Sequence, residues 1–100
     1  MIRHIVLFRF RETAEGRTKA ENLAIGRRRL EALPALIPEI RALNVYENCN
    51  FNGTNFDLAL ISDYDTLEDL ETYRVHPDHV AVGTLMKAVT EASAKLDFEV

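Results

Sequence analysis

Ile2, His4, Val6, Phe8 and Phe10 occupy alternate positions of one stretch, and Arg3, Ile5, Leu7, Arg9 and Arg11 fill the positions between them. Alternation with a period of two predicts a β-strand over residues 2–10. Both sets are apolar at the centre of the strand, so each face of the sheet it joins needs cover. The period then lengthens. Leu23, Ile25 or Gly26, Leu30 and Leu33 form a stripe at helical spacing, with Thr13 as N-cap and the helix running to about Leu33. Pro34 and Pro38 close it, because proline disfavours helix in the residue before it. Ile40, Leu43, Val45 and Tyr46 predict an extended segment within residues 40–50. The stretch NFNGTN supplies turn residues, and Asn52-Gly53 is a hairpin signal. A second alternating run follows at 56–64. Phe56, Leu58, Leu60, Ser62 and Tyr64 share one face, and Asp57, Ala59, Ile61 and Asp63 share the other.

Thr66, with Asp69 three residues on, predicts a helix start. Leu67, Leu70 and Tyr73 make its buried stripe, and it ends at His76, before Pro77. Proline suits the first position of the next helix, expected from about Asp78 to Ala92. His79, Val82, Met86 and Val89 or Thr90 fall on one side of it. Leu96, Phe98 and Val100 alternate in a last strand over 95–100. The order βαββαβ predicts a ferredoxin-like α+β fold, a four-stranded antiparallel sheet with helices on one face. Ile5, Leu7, Ala59 and Ile61 would lie bare on the other face of a monomer. A homodimer stacking two sheets into an α/β barrel covers them.

Composition narrows the partners. One hundred residues make a single domain, 1–100. The net charge of −4 argues against nucleic acid, which needs a basic surface. The run Arg27-Arg28-Arg29 reads as a solvated helix face. The single cysteine, Cys49, excludes an internal disulfide and points to a reducing, cytoplasmic setting. No segment reaches membrane-spanning length, so no membrane partner is expected.

Two of the three histidines fall in YRVHPDH, residues 73–79. A histidine can take a proton from a carbon beside a carbonyl, and a tyrosine hydroxyl can polarise that carbonyl. Tyr73 ends one helix and His79 begins the next, and the bend at His76-Pro77 turns both toward the sheet. His4, Phe8, Leu58 and Leu60 would supply the floor. The helix start would hold His79 neutral. In the bland reading Tyr73 is core, His79 partners its hydroxyl, His76 caps a helix and His4 is a satisfied core histidine. Convergence of His4, His76 and His79 on a metal is not expected, since a helix break separates the last two and no metal motif appears. No cofactor is expected. Asp57, Asp63, Asp65, Glu68 and Asp69 lack the spacing of a calcium loop.

RHIVLFRF at 3–10, IPEI at 37–40, DLALISDYDTLEDLETY at 57–73, HPDHVAV at 76–82 and DFEV at 97–100 together resemble the stress-responsive α/β-barrel (Dabb) family over essentially the whole chain. The resemblance implies a ferredoxin-like fold and a homodimeric barrel. It also implies a site, because a plant member of that family closes a linear polyketide thioester by aldol condensation. Tyr73 and His79 match its catalytic tyrosine and histidine. His4 matches a pocket histidine, with Val6 and Phe8 as further wall. Leu58 stands where that cyclase has another pocket histidine, a departure that points to a different substrate.

The expectation is thus an apolar pocket for a small hydrophobic carbonyl compound, with His79 as base and Tyr73 as polariser in cyclase- or isomerase-like chemistry. His4, Val6, Phe8, Leu58, Leu60, His76, Val82 and Met86 would line it. The alternative is a non-enzymatic, stress-related structural or ligand-binding dimer, in which Tyr73 and His79 form a hydrogen-bonded brace.

Overall fold

A computed structural model describes all residues, 1–100. Four long strands, β1 (Ile2–Phe10), β2 (Ala42–Glu47), β3 (Leu58–Tyr64) and β4 (Thr90–Glu99), form one sheet, with helices α1 (Lys19–Glu31), α2 (Leu67–Val75) and α3 (Pro77–Val89) between them. The sheet order is β2-β3-β1-β4 and every neighbouring pair is antiparallel. This is the ferredoxin-like α+β arrangement that the strand and helix order predicts. No helix is long and apolar enough to cross a membrane.

Local chemistry sets the boundaries, and several differ from expectation. Thr13 does not cap α1. It pairs with Thr18 in a small hairpin closed by Glu15 and Gly16, whose φ values of 54° and 72° are those a type I′ turn needs. The cap is Thr18. Its side chain accepts from the Glu21 backbone N–H, and the Glu21 carboxylate accepts in return from Thr18. Such a capping box contributes about 1 kcal/mol. Within α1, Gly26 lets the helix approach α3, since a Cβ there would stand 3.1 Å from Met86 Sδ.

The Asn52-Gly53 signal marks a turn inside a wide connection, residues 48–57, and not a tight hairpin. Asn52 Oδ1 accepts from the Thr54 and Asn55 backbone N–H groups, which folds the loop on itself. At the other end of the chain α3 stops at Val89, and β4 begins at Thr90, not at Lys95. Ala92 and Ala94 favour a helix locally, but pairing with Arg9 and Leu7 of β1 overrides that preference.

The helices cover one face of the sheet. Val6, Phe8, Phe10, Val45, Leu58, Leu60 and Tyr64 meet Leu30, Leu70, Tyr73, Val82, Met86 and Val89 in one buried core. Leu67, expected in the α2 stripe, is 65% exposed, because it opens the helix on the solvent side of Leu70 and Tyr73.

Candidate functional site

Register places the first polar pair. His4 stands directly opposite Asp97 across β1 and β4, on the face the helices cover. His4 Nδ1 meets Asp97 Oδ1. A carboxylate there accepts the ring N–H, which leaves Nε2 as the uncommitted nitrogen.

The corner between α2 and α3 places the second pair. His76 is extended, at φ −62° and ψ 135°, and closes α2 while opening α3 at Pro77. The chain therefore turns within one residue and brings Tyr73 against His79, with ring centroids 4.2 Å apart and planes 40° apart. His79 Nδ1 lies 2.9 Å from the Arg74 carbonyl oxygen, one of the unpaired carbonyls at the end of α2. A carbonyl only accepts, so Nδ1 carries the proton and Nε2 keeps its lone pair. Burial pushes the His79 pKa below its ordinary value. The bond to Arg74 works against this, and the charges of His4, Lys95 and Arg74 add smaller pushes downward. The neutral imidazole thus owes its state first to burial.

Tyr73 is 1% exposed, and its hydroxyl has no hydrogen-bond partner. The same holds for the Tyr64 and Ser62 hydroxyls; Tyr64 lies near both Tyr73 and Ser62, yet no pair among the three meets hydrogen-bonding geometry. The Tyr64 ring centroid is 5.1 Å from that of Tyr73, and His4 packs edge-on to Tyr73 at 6.2 Å. Burial pushes Tyr73 up to about 12 and raises Tyr64 as well, so both stay protonated donors at neutral pH. An unpaired buried donor costs about 1–3 kcal/mol. No hydrogen bond joins Tyr73 to His79, so a hydrogen-bonded brace is not what holds the two rings together.

These groups share the wall of a cavity of about 650 Å³ between the sheet and the helices. Val6, Phe8, Leu60, Val82 and Met86 give it apolar lining, and His4 and His79 stand in the same wall with the ring of Tyr73, whose hydroxyl is buried behind it. Two residues expected in that lining are elsewhere. Leu58 is buried opposite Phe8 in the register and does not reach the cavity. His76 turns toward its own helix start, where Nδ1 accepts from the Asp78 backbone N–H at 3.2 Å. Its ring is therefore not directed at the other two histidines. The acidic cluster is mostly paired, Asp63 with Arg3 at 2.9 Å and Asp65 with Arg41 at 2.6 Å.

Asp97, Lys95 and Lys87 line the cavity and were not singled out in the sequence. A signal for the first two existed. Ser93, Lys95, Asp97 and Glu99 alternate with Ala94, Leu96 and Phe98, so one face of β4 is polar. An expected start at Lys95 cuts Ser93 from that alternation, and the expectation rests on its apolar members Leu96, Phe98 and Val100 alone.

Residues 2–100 match the stress responsive A/B barrel domain. A dimeric protein of unknown function and ferredoxin-like fold from Bacteroides fragilis is 36% identical, with a TM-score of 0.83 over 99% of this chain and 95% of that one. A dimeric ferredoxin-like protein of unknown function from Thermobifida fusca is 27% identical, with a TM-score of 0.86 over 99% and 90% of the two chains. Hydroxynitrile lyase from Passiflora edulis shares the fold at 14% identity, with a TM-score of 0.83 over 99% and 92%. No curated protein sequence matches.

Proposed function

Because this chain belongs to the stress responsive A/B barrel family, we propose that it is a homodimer whose subunits each bind a small hydrophobic carbonyl compound between sheet and helices. His79 acts on that compound as base and Tyr73 as carbonyl polariser, in cyclase- or isomerase-like chemistry. The observation that carries this reading is the state of two side chains in one cavity wall. His79 is neutral with Nδ1 anchored, and Tyr73 is a protonated donor without a partner. The Tyr73 hydroxyl is closed off from solvent, so an entering ligand must first uncover it; its carbonyl then gives the tyrosine the acceptor it lacks, and a developing enolate strengthens that bond. Nε2 of His79 takes the proton from the adjacent carbon. At about 650 Å³ the cavity is of the size that holds small organic ligands. His4, held by Asp97, is the second histidine of the wall and orients the ligand.

The dimer rests on the uncovered sheet face and on the dimeric state of the Bacteroides fragilis relative. A cytoplasmic setting fits Cys49, which is exposed and free.

Exchange of the α-protons of a methyl ketone such as heptanone in deuterated water tests the chemistry. The wild type should accelerate exchange, and His79→Ala should reduce that rate by about 100-fold or more with folding intact by circular dichroism. A His79→Ala protein exchanging at the wild-type rate would remove His79 as base. A wild type that exchanges nothing would remove acid–base chemistry altogether.

A further inference from the structure

The charges around the cavity do not cancel. Arg74 is held by Glu71 through two hydrogen bonds, at 2.6 and 2.8 Å. Asp97 accepts a hydrogen bond from His4 and keeps its own charge, so Glu71, Arg74, Lys87, Lys95 and Asp97 around the cavity leave an excess of one positive charge. Lys87 and Lys95 are the two cations of that lining with no carboxylate within ion-pair distance. They are two of only three lysines in a chain of net charge −4. The third, Lys19, lies away from the cavity against Glu12 and Asp57.

Their positions are complementary. Lys87 comes from the last turn of α3, in the helix layer, and Lys95 from the inner face of β4, in the sheet. Both are exposed, so their ammonium groups remain hydrated and charged while the lining below them is apolar. Two cations from opposite layers around an apolar cavity concentrate anions there.

We propose that the ligand of this cavity is an amphipathic anion, with its apolar body against the cavity lining and a carboxylate or sulfonate-like group drawn by the combined field of Lys87 and Lys95. This rests on the cavity reading above and narrows the substrate from a hydrophobic carbonyl compound to one that also bears an acid. The anionic end fixes which way the compound enters, so that its carbonyl reaches Tyr73 and the acid stays at the solvent edge. A neutral compound of the same size lacks that fixed direction.

Two related dyes separate the possibilities by fluorescence titration of the full chain. Anilinonaphthalene sulfonate is anionic, and N-phenylnaphthylamine is its uncharged parent. The wild type should bind the sulfonate more tightly than the parent, and added salt should weaken only the sulfonate. Lys87→Gln and Lys95→Gln should each weaken the sulfonate about threefold, and the double variant about tenfold, with the parent dye unchanged. Lys95→Arg should retain binding, and Arg28→Gln, a surface cation outside the cavity, should change nothing. Equal affinity for the two dyes, or a double variant that binds the sulfonate as the wild type does, overturns the anionic ligand and leaves the cavity reading standing. Failure of both dyes to bind overturns both.

Discussion

The two faces of this sheet follow one alternation and end differently. On the inner face Val6, Phe8, Leu58 and Leu60 are all buried. On the outer face Leu96 is 60% exposed, Tyr46 54% and Leu7 37%. The hydrophobicity is similar, and the cover is not, because α1, α2 and α3 all pack on one side. Period-two alternation identifies what needs burying; topology decides whether the chain's own helices or another chain must bury it. Contiguous apolar surface of this kind marks an interaction face. The inner face divides again. Beneath the helices it is packed, but at the β4 edge its side chains are Ser93, Lys95 and Asp97, all exposed. The cavity lies where packed and open halves meet.

Neighbouring residues on the two faces give the strongest test. Leu60→Ala removes inner-face core and should cost about 2–5 kcal/mol in urea unfolding, at any protein concentration. Ile61→Ala removes an outer-face side chain that pairs across the sheet with Ile5. In a homodimer its cost should be largest at protein concentrations where the wild type is dimeric and shrink as dilution dissociates both proteins, with a shift toward monomer in sedimentation velocity. If the wild type sediments as a monomer and Ile61→Ala leaves its stability unchanged, the outer face needs no partner.

The contrast also marks what was legible in the sequence. The faces of β1 and β3, the break at His76-Pro77 and the contact between Tyr73 and His79 follow from local patterns, since periodicity and proline geometry act over a few residues. The Thr13 cap failed because Gly16 ended a hairpin before α1 could begin, and only pairing across that hairpin shows it. Leu58 failed because facing the inner side of a strand does not decide which inner residues reach a cavity. Asp97 was missed because its contact with His4 spans nearly the whole chain and depends on β4 pairing beside β1. The polar face of β4 has a local signature in its alternation, but its pairing with His4 has none.

A smaller effect distinguishes packing from chemistry on the inner face. If Tyr73 were a hydrogen-bonded brace, Tyr73→Phe would cost about 1 kcal/mol. Its hydroxyl has no partner, so the same change should leave stability unchanged or raise it, by up to about 1 kcal/mol, because a buried unpaired donor is removed. Measured by thermal unfolding, a clear loss would mean that the hydroxyl already has a partner in the folded chain and does not await a ligand.

The smallest effect concerns pH and the depth of His79 beneath the helices. Burial lowers its pKa in the folded chain, while the unfolded chain keeps the ordinary histidine value of about 6.5. Between the lowered value and 6.5 the unfolded chain binds the proton and the folded chain does not, so stability should fall as pH falls through that window and be fully present above it. Glu21, Asp65 and Glu71 also have lowered values, through hydrogen bonds from Thr18, Arg41 and Arg74. Their contribution is present above the ordinary carboxylate values of about 4 and is lost only as pH falls from there through their lowered values, so the two windows are separate. Urea midpoints from about pH 7.5 to about pH 5 should therefore decline in the wild type and decline less in His79→Gln. Equal slopes would mean that His79 gains its proton as readily in the fold as in the open chain. It would then face solvent, as the β4 edge does, and the buried half of the inner face would hold no base.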